Sequence, residues 1–436
     1  CTVFNNSGKT FTFSNGTISG VTSAVCNYGG TFTMNSGTVT TTHNGETNTI
    51  LTPWNYGGTI NINGGLVKAT QTGNAYTRGI YNNTNNGSLN ITNATIEVTS
   101  TTTNWNYTYG IYAENATTIT NAHIKTTANS ANGTTYGVYV YNNALTIDGA
   151  NTLIEAYNAN SSGEVYGVVK DRSSVNLKNG TIKAESNTGA AVGIDVGSYY
   201  TTANITGGSV TAHSKGGNAW GVYELRNYDN NYINMSGGSI SAIADTSGKT
   251  GAGVAIRTVS ITGGTVYGSS YGILGYLNDA TSSITLGKNE DPLYNGINTD
   301  GEGHVYPATP EIKGGVYGIN AGNVYFYDGI LKGGTTYVNN PTIIKAIPDG
   351  TSRVLARLDN PVEEDCWLEY DEDYLQLPDG STYNSLTGAY NNVQDGETIT
   401  VIRDASTPAV LPTNTKNITI DLNGHLLNYT QPLKND

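Results

Sequence analysis

Ser88-Leu-Asn-Ile-Thr-Asn-Ala-Thr-Ile-Glu-Val-Thr99 holds the pattern that decides the fold. Two short runs of alternating apolar and polar residues flank a small turn, so Leu89 and Ile91 share one face while Asn90 and Glu97 face solvent. The same phrase recurs along the chain: an apolar strand, a turn such as Gly-Gly or Asn-Gly, and a second β-branched strand. Such recurrence is typical of a solenoid.

The repeat has a nearly constant length. With the apolar residue of the second strand as a marker, most steps between successive markers are about 28 residues, and the first step is shorter. The markers are Ile18, Val39, Val67, Ile96, Ile124, Leu153, Ile182, Val210, Ile240 and Val266. A leucine-rich repeat of similar length is rejected, because Thr, Asn, Gly, Ser and Tyr dominate each unit and no stretch favours a repeating helix.

A third strand follows in each unit and forms a second ladder, as in Gly79-Ile-Tyr81 and Gly110-Ile-Tyr112. Three strands per coil, stacked in parallel on the coil below, predict a parallel β-helix. Alternation predicts one inward column of aliphatic side chains. Its members are Ile91, Ile119, Ile147, Leu177 and Ile205.

Pairs of asparagines follow the third strand, at Asn5-Asn6, Asn82-Asn83 and Asn142-Asn143. Asn tolerates left-handed backbone angles better than most residues, and stacked side-chain amides can hydrogen-bond from coil to coil. These pairs are therefore predicted to be structural ladders.

Composition restricts the partners. Charged residues make up 13% of the chain and the net charge is −13, with no basic stripe, so a nucleic-acid partner is not expected. No apolar run approaches the roughly 18 to 20 residues of a membrane span, and no signal peptide is visible. The low charge and the exterior rich in Thr, Asn and Ser favour an extracellular, cell-surface or secreted protein.

Three cysteines do not form a disulfide framework. Alignment of the first two coils places Cys26 opposite Phe4 rather than Cys1. A bridge between Cys1 and Cys26 would therefore need a diagonal reach, while Cys366 lies in another region.

Four phrases carry a resemblance to a known family. The pattern resembles the right-handed parallel β-helix of the pectate-lyase-like superfamily, and more narrowly the repeats of large surface proteins of gut and soil bacteria. The phrases are Ile312-Lys-Gly-Gly-Val-Tyr-Gly-Ile319, Phe326-Tyr-Asp-Gly-Ile-Leu-Lys332, Asp395-Gly-Glu-Thr-Ile-Thr-Val401 and Ile418-Thr-Ile-Asp-Leu-Asn-Gly424. These motifs are structural, so the resemblance implies fold and location and says little about activity.

The chain divides into three predicted regions. Residues 1–337 form the β-helix, with a loop insertion near 285–310, and residues 338–380 form a small acidic β module or linker. Residues 381–436 hold a cap helix and the first coil of a following β-helix, which resembles the way the bacterial family opens a new solenoid. The predicted fold class is thus all-β: a right-handed parallel β-helix, a small β-rich linker module, and the start of a second β-helix.

Within the acidic module, residues 342–358 are predicted to form a hairpin that turns at Pro348-Asp-Gly350. The cluster Glu363-Glu-Asp365 with residues 369–373 is interpreted as a solvated acidic loop. A calcium site is the alternative, because carboxylates suit hard cations, but the alternating spacing of a calcium-binding loop is absent.

No catalytic constellation is evident, so the chain is predicted not to be an enzyme and to need no cofactor or metal. A polysaccharide lyase or glycoside hydrolase of this fold would cluster carboxylates, or carboxylates with a basic residue, on one face of adjacent coils. The aspartates and arginines of this chain occupy different positions in their units. They are Asp148, Asp171, Asp195 and Asp229, with Arg78, Arg172, Arg226 and Arg257.

Aromatic residues raise a second functional hypothesis, a non-catalytic carbohydrate-binding adhesin. The chain has 31 Tyr against 5 Phe, and many precede the ladder glycine. Aromatic rows stack on sugars, but ladder positions also bury aromatic faces against one another, and the second interpretation is preferred. Trp54 and Trp105, in longer turns, are the candidate glycan platform.

The leading functional prediction is a structural or adhesive module that forms a rigid stalk or a head-to-tail fibre with identical modules. The turn Asn423-Gly424 aligns with Asn15-Gly16. Counting from Leu426 through the chain end to Ile18 of a following copy gives the length of one regular coil, about 28 residues. The predicted interface residues are Cys1, Thr2, Val3, Phe4, Phe11, Phe13, Ile18, Ile418, Ile420, Leu422, Leu426 and Tyr429.

Overall fold

The computed structural model describes an almost wholly β protein whose strands fall into two compact units. The first unit comprises residues 1–288, 308–344 and 361–366, and the second comprises 289–307, 345–360 and 367–436. The described residues are 1–53, 56–84, 86–101, 106–129, 132–160, 162–197, 200–224, 231–275, 283–287, 297–299, 305–307, 310–321, 323–326, 330–333, 336–339, 342–345, 354–357, 368–371, 374–383, 386–407 and 416–429.

The first unit is a parallel β-solenoid, as the sequence predicted. A 13-stranded sheet contains the third strand of each coil. Its strands are Val3–Asn6, Val25–Tyr28, Thr47–Thr52, Thr77–Asn82, Tyr107–Ala113, Thr134–Tyr141, Val165–Asp171, Ala191–Asp195, Ala219–Tyr223, Gly251–Ala255, Tyr271–Leu274, Tyr317–Asn320 and Thr336–Asn339.

A 23-stranded sheet contains the first and second strands of the coils. The first-strand series is Thr10–Phe13, Thr31–Met34, Gly58–Ile62, Gly87–Thr92, Ala116–Thr120, Leu145–Asp148, Ser173–Leu177, Thr201–Ile205, Tyr232–Ala244, Thr258–Gly268, Ser283–Leu286, Asn323–Phe326 and Thr342–Lys345. The second-strand series is Thr17–Gly20, Thr38–His43, Gly65–Gln71, Ala94–Ser100, His123–Ala128, Leu153–Asn158, Thr181–Ser186, Ser209–Ser214, Glu311–Gly314 and Ile330–Gly333. Tyr232–Ala244 and Thr258–Gly268 each supply both strands of their coil.

The predicted inward column is confirmed. Ile91 pairs with Ile119, Ile119 with Ile147, Ile147 with Leu177 and Leu177 with Ile205, and all five side chains are buried. Alternation is also confirmed in the second strand, where the side chains at positions 96 and 98 are buried and the one between them is not. The core is therefore a set of aliphatic stacks that run from coil to coil, held by parallel ladders about 4.8 Å apart.

One repeat marker was wrong by a residue. The ladder runs from Ile124 to Ile154 and then to Ile182, and Ile154 is fully buried, whereas Leu153 pairs with His123 and lies outside the core. The turn before this strand is longer, closed by a hydrogen bond from the Thr152 amide to the Gly149 carbonyl at 3.0 Å. The extra turn residue moves the inward position one place along the chain.

The asparagine pairs only partly behave as predicted. Asn5 Nδ2 donates to Asn27 Oδ1 in the next coil at 2.8 Å, and Asn142 has a φ of 66°. Asn82, however, is fully buried, does not have a positive φ, and finds no hydrogen-bond partner for either side-chain amide atom among the described residues.

Longer asparagine ladders lie on the outer face of the first strands, at the position where Asn90 was predicted to face solvent. Asn90 Nδ2 donates to Asn61 Oδ1 at 2.9 Å, Asn204 to Asn176 at 2.9 Å, and Asn234 to Asn204 at 3.2 Å. Each bond joins consecutive coils, so these side chains reinforce the backbone ladder from outside.

The predicted hairpin over residues 342–358 was also wrong. Thr342–Lys345 joins the 23-stranded sheet of the solenoid, beside Asn323–Phe326. Val354–Arg357 instead pairs antiparallel with Leu368–Asp371. An apolar run such as Thr-Ile-Ile-Lys suits either a hairpin or one more solenoid strand, and the periodicity of the sequence alone did not separate the two.

The second unit is a small mixed β structure with one described helix, Leu386–Asn392. Its strands are Ile297–Thr299, Val305–Pro307, Val354–Arg357, Leu368–Asp371, Leu375–Gln376, Thr382–Tyr383, Thr398–Val401, Ala405–Thr407, Thr419–Asp421 and Leu427–Tyr429. The helix lies in the region where a cap helix was predicted, and its apolar side chains Leu386, Ala389 and Tyr390, with Val393 just beyond it, are buried. Thr398–Val401 pairs in parallel with Thr419–Asp421, and Ala405–Thr407 with Leu427–Tyr429.

Candidate functional site

The outer face of the 13-stranded sheet carries two columns of tyrosine. In the strand Tyr107–Ala113, the alternation of inward and outward residues breaks at Gly110 and Ile111, which both face the interior. Tyr109 and Tyr112 therefore both face outward, three positions apart. Because the Gly-Ile or Gly-Val pair recurs, each coil presents two outward positions at matching heights.

Glycine is required at this break because there is no space for a side chain. A Cβ at Gly79 would lie 2.7 Å from the Gly110 carbonyl oxygen and 2.8 Å from Cγ2 of Ile96. A Cβ at Gly167 would lie 2.5 Å from Cγ2 of Ile182. The opposite wall of the solenoid thus packs directly on the backbone of the ladder strand.

The two columns contain closely stacked rings. In the first, the ring centroids of Tyr109 and Tyr136 are 4.6 Å apart with planes 6° from parallel, and those of Tyr136 and Tyr166 are 5.2 Å apart at 10°. In the second, Tyr112 and Tyr139 are 5.1 Å apart at 4°. The columns meet edge to face, with Tyr109 and Tyr112 centroids 5.6 Å apart at 88°. We call the set Tyr109, Tyr112, Tyr136, Tyr139 and Tyr166 the tyrosine ladder.

Stacking along the solenoid axis decides what the tyrosine ladder can offer a ligand. A sugar ring packs on the face of an aromatic ring, and the faces of Tyr136 are covered by Tyr109 and Tyr166. The expectation that ladder aromatics cover one another's faces is therefore confirmed here. The ladder therefore offers few open ring faces to a ligand, and Tyr166 is only 3% exposed.

Arg78 closes one end of the tyrosine ladder. It occupies the ladder position before Tyr109, and its guanidinium carbon lies 4.2 Å from the centroid of Tyr81 and 5.6 Å from that of Tyr109. Its Nη1 donates to Glu46 Oε1 at 2.7 Å and to Asn48 Oδ1 at 2.9 Å. The cation thus covers the exposed ring face at the end of the stack through a cation–π contact.

Carboxylates lie beside the hydroxyl groups of the tyrosine ladder. The Tyr166 hydroxyl donates to Glu164, and the Tyr139 hydroxyl lies 3.5 Å from Asp171 Oδ2. Burial raises the pKa of Tyr109, Tyr136 and the two carboxylate-bound tyrosines well above the ordinary value, and the nearby negative charges raise the pKa of Tyr139 and Tyr166 further. The phenols are therefore neutral hydrogen-bond donors at physiological pH.

Lys170 is a buried cation that sequence reasoning missed. It continues the inward column of Val140 and is fully buried, and its Nζ donates to the carbonyls of Val140 at 3.2 Å, Asp171 at 3.0 Å and Arg172. Burial lowers the pKa of Lys170 to about 7, and the charge of Asp171 opposes that shift. Two of the three carbonyls belong to a turn in which Arg172 and Ser173 have φ values of 60° and 74°.

The predicted residues of the head-to-tail interface fall into two sets, one near each end of the chain. The N-terminal set, from Cys1 to Ile18, lies in the first coils of the solenoid. Phe4 is 61% exposed and stacks on Tyr28, and Phe11 stacks on Phe32. Ile18 is buried. Thr2, Val3 and Phe13 lie in or beside the same coil, whose edge strands pair only with the second coil among the described residues.

The predicted register is confirmed, because Phe4 pairs with Cys26, and the structure makes the diagonal reach: Cys1 and Cys26 form a disulfide with Cα atoms 5.8 Å apart. The amides of Thr2 and Val3 both donate to the Ala24 carbonyl, at 3.1 and 2.9 Å. The chain therefore bends before the first strand begins and brings Cys1 over its neighbour. The alignment of the first two coils treated the chain before Phe4 as extended, so it did not predict this bend. The Cα separation falls within the ordinary range for disulfides.

The C-terminal set lies in the second unit. Ile418 and Ile420 pack against the core cluster of that unit, whereas Leu422 and Leu426 are 48% and 65% exposed. Tyr429 belongs to the strand Leu427–Tyr429, and its side chain lies outside the described residues.

Several other predicted sites also lie outside the described residues. They are Trp54, Trp105, Asp229, Arg226, the segment Glu363-Glu-Asp365 and the side chains of residues 369–373. Asp171 pairs with Tyr141 while Asp195 pairs with Val169, so these two aspartates occupy different ladder positions. Within the described part of the chain, no cluster of three or more His, Cys, Asp or Glu residues is placed to hold a metal ion.

No family model, curated protein or solved structure matches the chain. In the described ranges, no helix has the length and apolar character of a membrane span.

Proposed function

We propose that this chain is a non-catalytic structural module of a secreted bacterial surface protein, forming a rigid stalk or fibre. The observation that carries the proposal is the continuous parallel pairing of the 13-stranded sheet, backed by a buried aliphatic column through the same coils. Each inner coil is hydrogen-bonded to the coil before it and the coil after it. Stiffness and length therefore follow from repetition of one unit.

Two features support an extracellular location. The disulfide between Cys1 and Cys26 is the kind of cross-link that persists in oxidising compartments. The outer face of the solenoid carries neutral hydroxyl and amide groups, including the hydrogen-bonded asparagine pairs Asn61–Asn90 and Asn176–Asn204. Such a surface suits a protein that stays folded outside the cell.

The partner in this proposal is another copy, joined head to tail. In the second unit Thr398 pairs in parallel with Thr419, and in the first coils of the solenoid Thr10 pairs with Thr31, so the two coils advance by the same length of chain. In both places an Asn-Gly turn has its glycine at positive φ, 79° at Gly424 and 100° at Gly16. These two matches support the addition of a first coil of one copy to a coil of the second unit of another.

Electron microscopy and light scattering of the purified chain test the assembly. We expect fibres with an axial repeat on the order of 60 to 80 Å, from roughly twelve to fifteen coils at ~4.8 Å each. Leu426→Arg should shorten or abolish them, whereas Tyr200→Arg, at a site on the solenoid that is 69% exposed, should not. Monodisperse single chains at high concentration would rule out non-covalent assembly.

Glycan binding is the second candidate from the sequence, and it rests on Trp54 and Trp105. Retention on a panel of plant and host glycans, lost in Trp54→Ala or Trp105→Ala, would support an adhesin. Depolymerisation of a glycan would instead support an enzyme and overturn the non-catalytic proposal.

A further inference from the structure

We propose that the tyrosine ladder is a site of oxidative cross-linking, at which phenol rings of neighbouring coils are joined by carbon–carbon bonds. The pairs are Tyr109 with Tyr136, Tyr136 with Tyr166, and Tyr112 with Tyr139. This inference goes beyond the structural role proposed above and does not depend on head-to-tail assembly.

Geometry is the first support. Each pair is nearly parallel, with planes 4° to 10° apart and centroids 4.6 to 5.2 Å apart, so the corresponding ring carbons of two coils already lie close together. The backbone register fixes these neighbours, because Tyr109 pairs with Tyr136 and Tyr136 with Tyr166 in the parallel ladder. Two radicals formed on paired rings would therefore already be close together and oriented for coupling.

Proton acceptors are the second support. A neutral phenol that loses an electron must also release its hydroxyl proton, and a hydrogen-bonded carboxylate can accept it. The Tyr166 hydroxyl donates to Glu164, and the Tyr139 hydroxyl faces Asp171. Each column therefore contains a tyrosine with a carboxylate in position to take its proton.

An exposed entry point is the third support. Tyr76 is 38% exposed and stacks on Tyr107, with centroids 5.5 Å apart and planes 8° from parallel. The Tyr107 centroid lies 6.3 Å from those of Tyr109 and Tyr136. An oxidant in solution that removes an electron from Tyr76 therefore acts on the exposed end of a continuous series of neighbouring rings.

The chemistry requires a two-electron oxidant, for which we name hydrogen peroxide acting through a heme peroxidase. Each of two phenols loses one electron and one proton. The two phenoxyl radicals couple between ring carbons ortho to the oxygens, and the ortho hydrogens then move to the oxygens, restoring both aromatic phenols. Overall, two tyrosines and one hydrogen peroxide give one dityrosine and two waters.

Peptide mapping of the oxidised full-length chain tests the proposal. After treatment with peroxidase and hydrogen peroxide, the monomer fraction is unfolded and cleaved after Lys and Arg. Tyr109 and Tyr112 lie in peptide 79–125, and Tyr136 and Tyr139 lie in peptide 126–170. We expect these peptides to be joined, with a mass two hydrogens below their sum for each cross-link, and with dityrosine fluorescence.

Matched variants locate the bonds. Tyr136→Phe keeps the stacked ring and removes one phenol, so it should abolish the bonds to Tyr109 and Tyr166 and leave the bond between Tyr112 and Tyr139. Circular dichroism checks that the variant is folded. Tyr200→Phe, which changes a tyrosine that is 69% exposed, should leave the joined peptide unchanged.

Two further arms make the test decisive. A photo-generated ruthenium oxidant, which needs no docking of an enzyme, should give the same joined peptide. Oxidation in denaturant should give it in much lower yield, because the register of the coils is lost. Absence of the joined peptide with both oxidants, or equal yield from the unfolded chain, would overturn the proposal.

Discussion

Gly137→Ala tests the packing that creates the tyrosine ladder. A Cβ at Gly137 would lie 2.5 Å from the Gly167 carbonyl oxygen and 2.7 Å from Cγ2 of Ile154. Both values are about 1 Å short of ordinary van der Waals contact. Neither neighbour is free to move, because Ile154 is fully buried and the Gly167 strand is paired on both sides.

The change in the free energy of unfolding of Gly137→Ala is the sum of two opposed effects. Overpacking of a filled interior costs roughly 1 to 3 kcal/mol, and more where backbone must shift. Replacing glycine by alanine also lowers the conformational entropy of the unfolded chain, which stabilises the folded state by about 0.4 to 1 kcal/mol. The net expectation is a loss of about 2 kcal/mol in the free energy of unfolding. The loss should appear first in the strands Tyr107–Ala113, Thr134–Tyr141 and Val165–Asp171.

The assay combines guanidinium unfolding with hydrogen exchange, because a repeat protein can open in one region before it unfolds as a whole. Gly45→Ala is the control, since its Cβ would meet only the tip of the His43 ring, at 2.8 Å, which is free to turn away. Adding Ile154→Ala to Gly137→Ala should relieve part of the strain, seen as coupling in a double-mutant cycle. Unchanged stability of Gly137→Ala would refute the packing argument.

Three further predictions concern stability. Ile147→Asp buries an unpaired charge in the aliphatic column and should cost several kcal/mol, whereas Thr146→Asp on the outer side of the same strand should cost little, measured by melting temperature. Burial lowers the pKa of Lys170 to about 7 from an ordinary value of 10.5. The unfolded chain therefore binds more protons between these values, so stability should rise by up to about 1.4 kcal/mol per pH unit from pH 7 to 9. Lys170→Met should remove that slope; a slope unchanged in the variant would assign it to other groups. Reduction of the Cys1–Cys26 bridge, which closes a separation of 25 residues, should cost about 3 kcal/mol, and a melting temperature insensitive to reductant would contradict this.

The register of the solenoid was predictable wherever one face of a strand is apolar and a glycine or asparagine marks the turn. Because side chains alternate strictly, an error of one residue would turn Ile91 or Ile147 to solvent, and this constraint fixes most coils from sequence alone. It failed at Leu153, where two apolar residues are adjacent and either one fits the marker. The length of the preceding turn decided between them, and turn length is not visible in apolar periodicity.

The chemistry of the outer face was less predictable. The sequence indicates that tyrosines precede and follow the ladder glycine, but it does not show that two consecutive residues face inward, which is what places Tyr109 and Tyr112 on one side. Arg78 could have been noticed, since it stands directly before Gly79, where the next coils have tyrosine. Lys170 had no such signal, because its role depends on three backbone carbonyls that the fold brings to its amine.

The choice of tyrosine over phenylalanine in the ladder needs its own explanation. Phenylalanine would stack at the same spacing and bury similar area, yet it would leave an apolar stripe where the ladder rings are half-buried, which favours association. The hydroxyls of Tyr139 and Tyr166 instead keep the edge of each ring polar by meeting carboxylates. Those same hydroxyls make the ring oxidisable next to a proton acceptor. A Tyr136→Phe chain that stays soluble but no longer forms the bonds from position 136 to Tyr109 and Tyr166 would separate the two roles. It would show that solubility tolerates the loss of one hydroxyl, whereas the cross-links of the column formed by Tyr109, Tyr136 and Tyr166 do not.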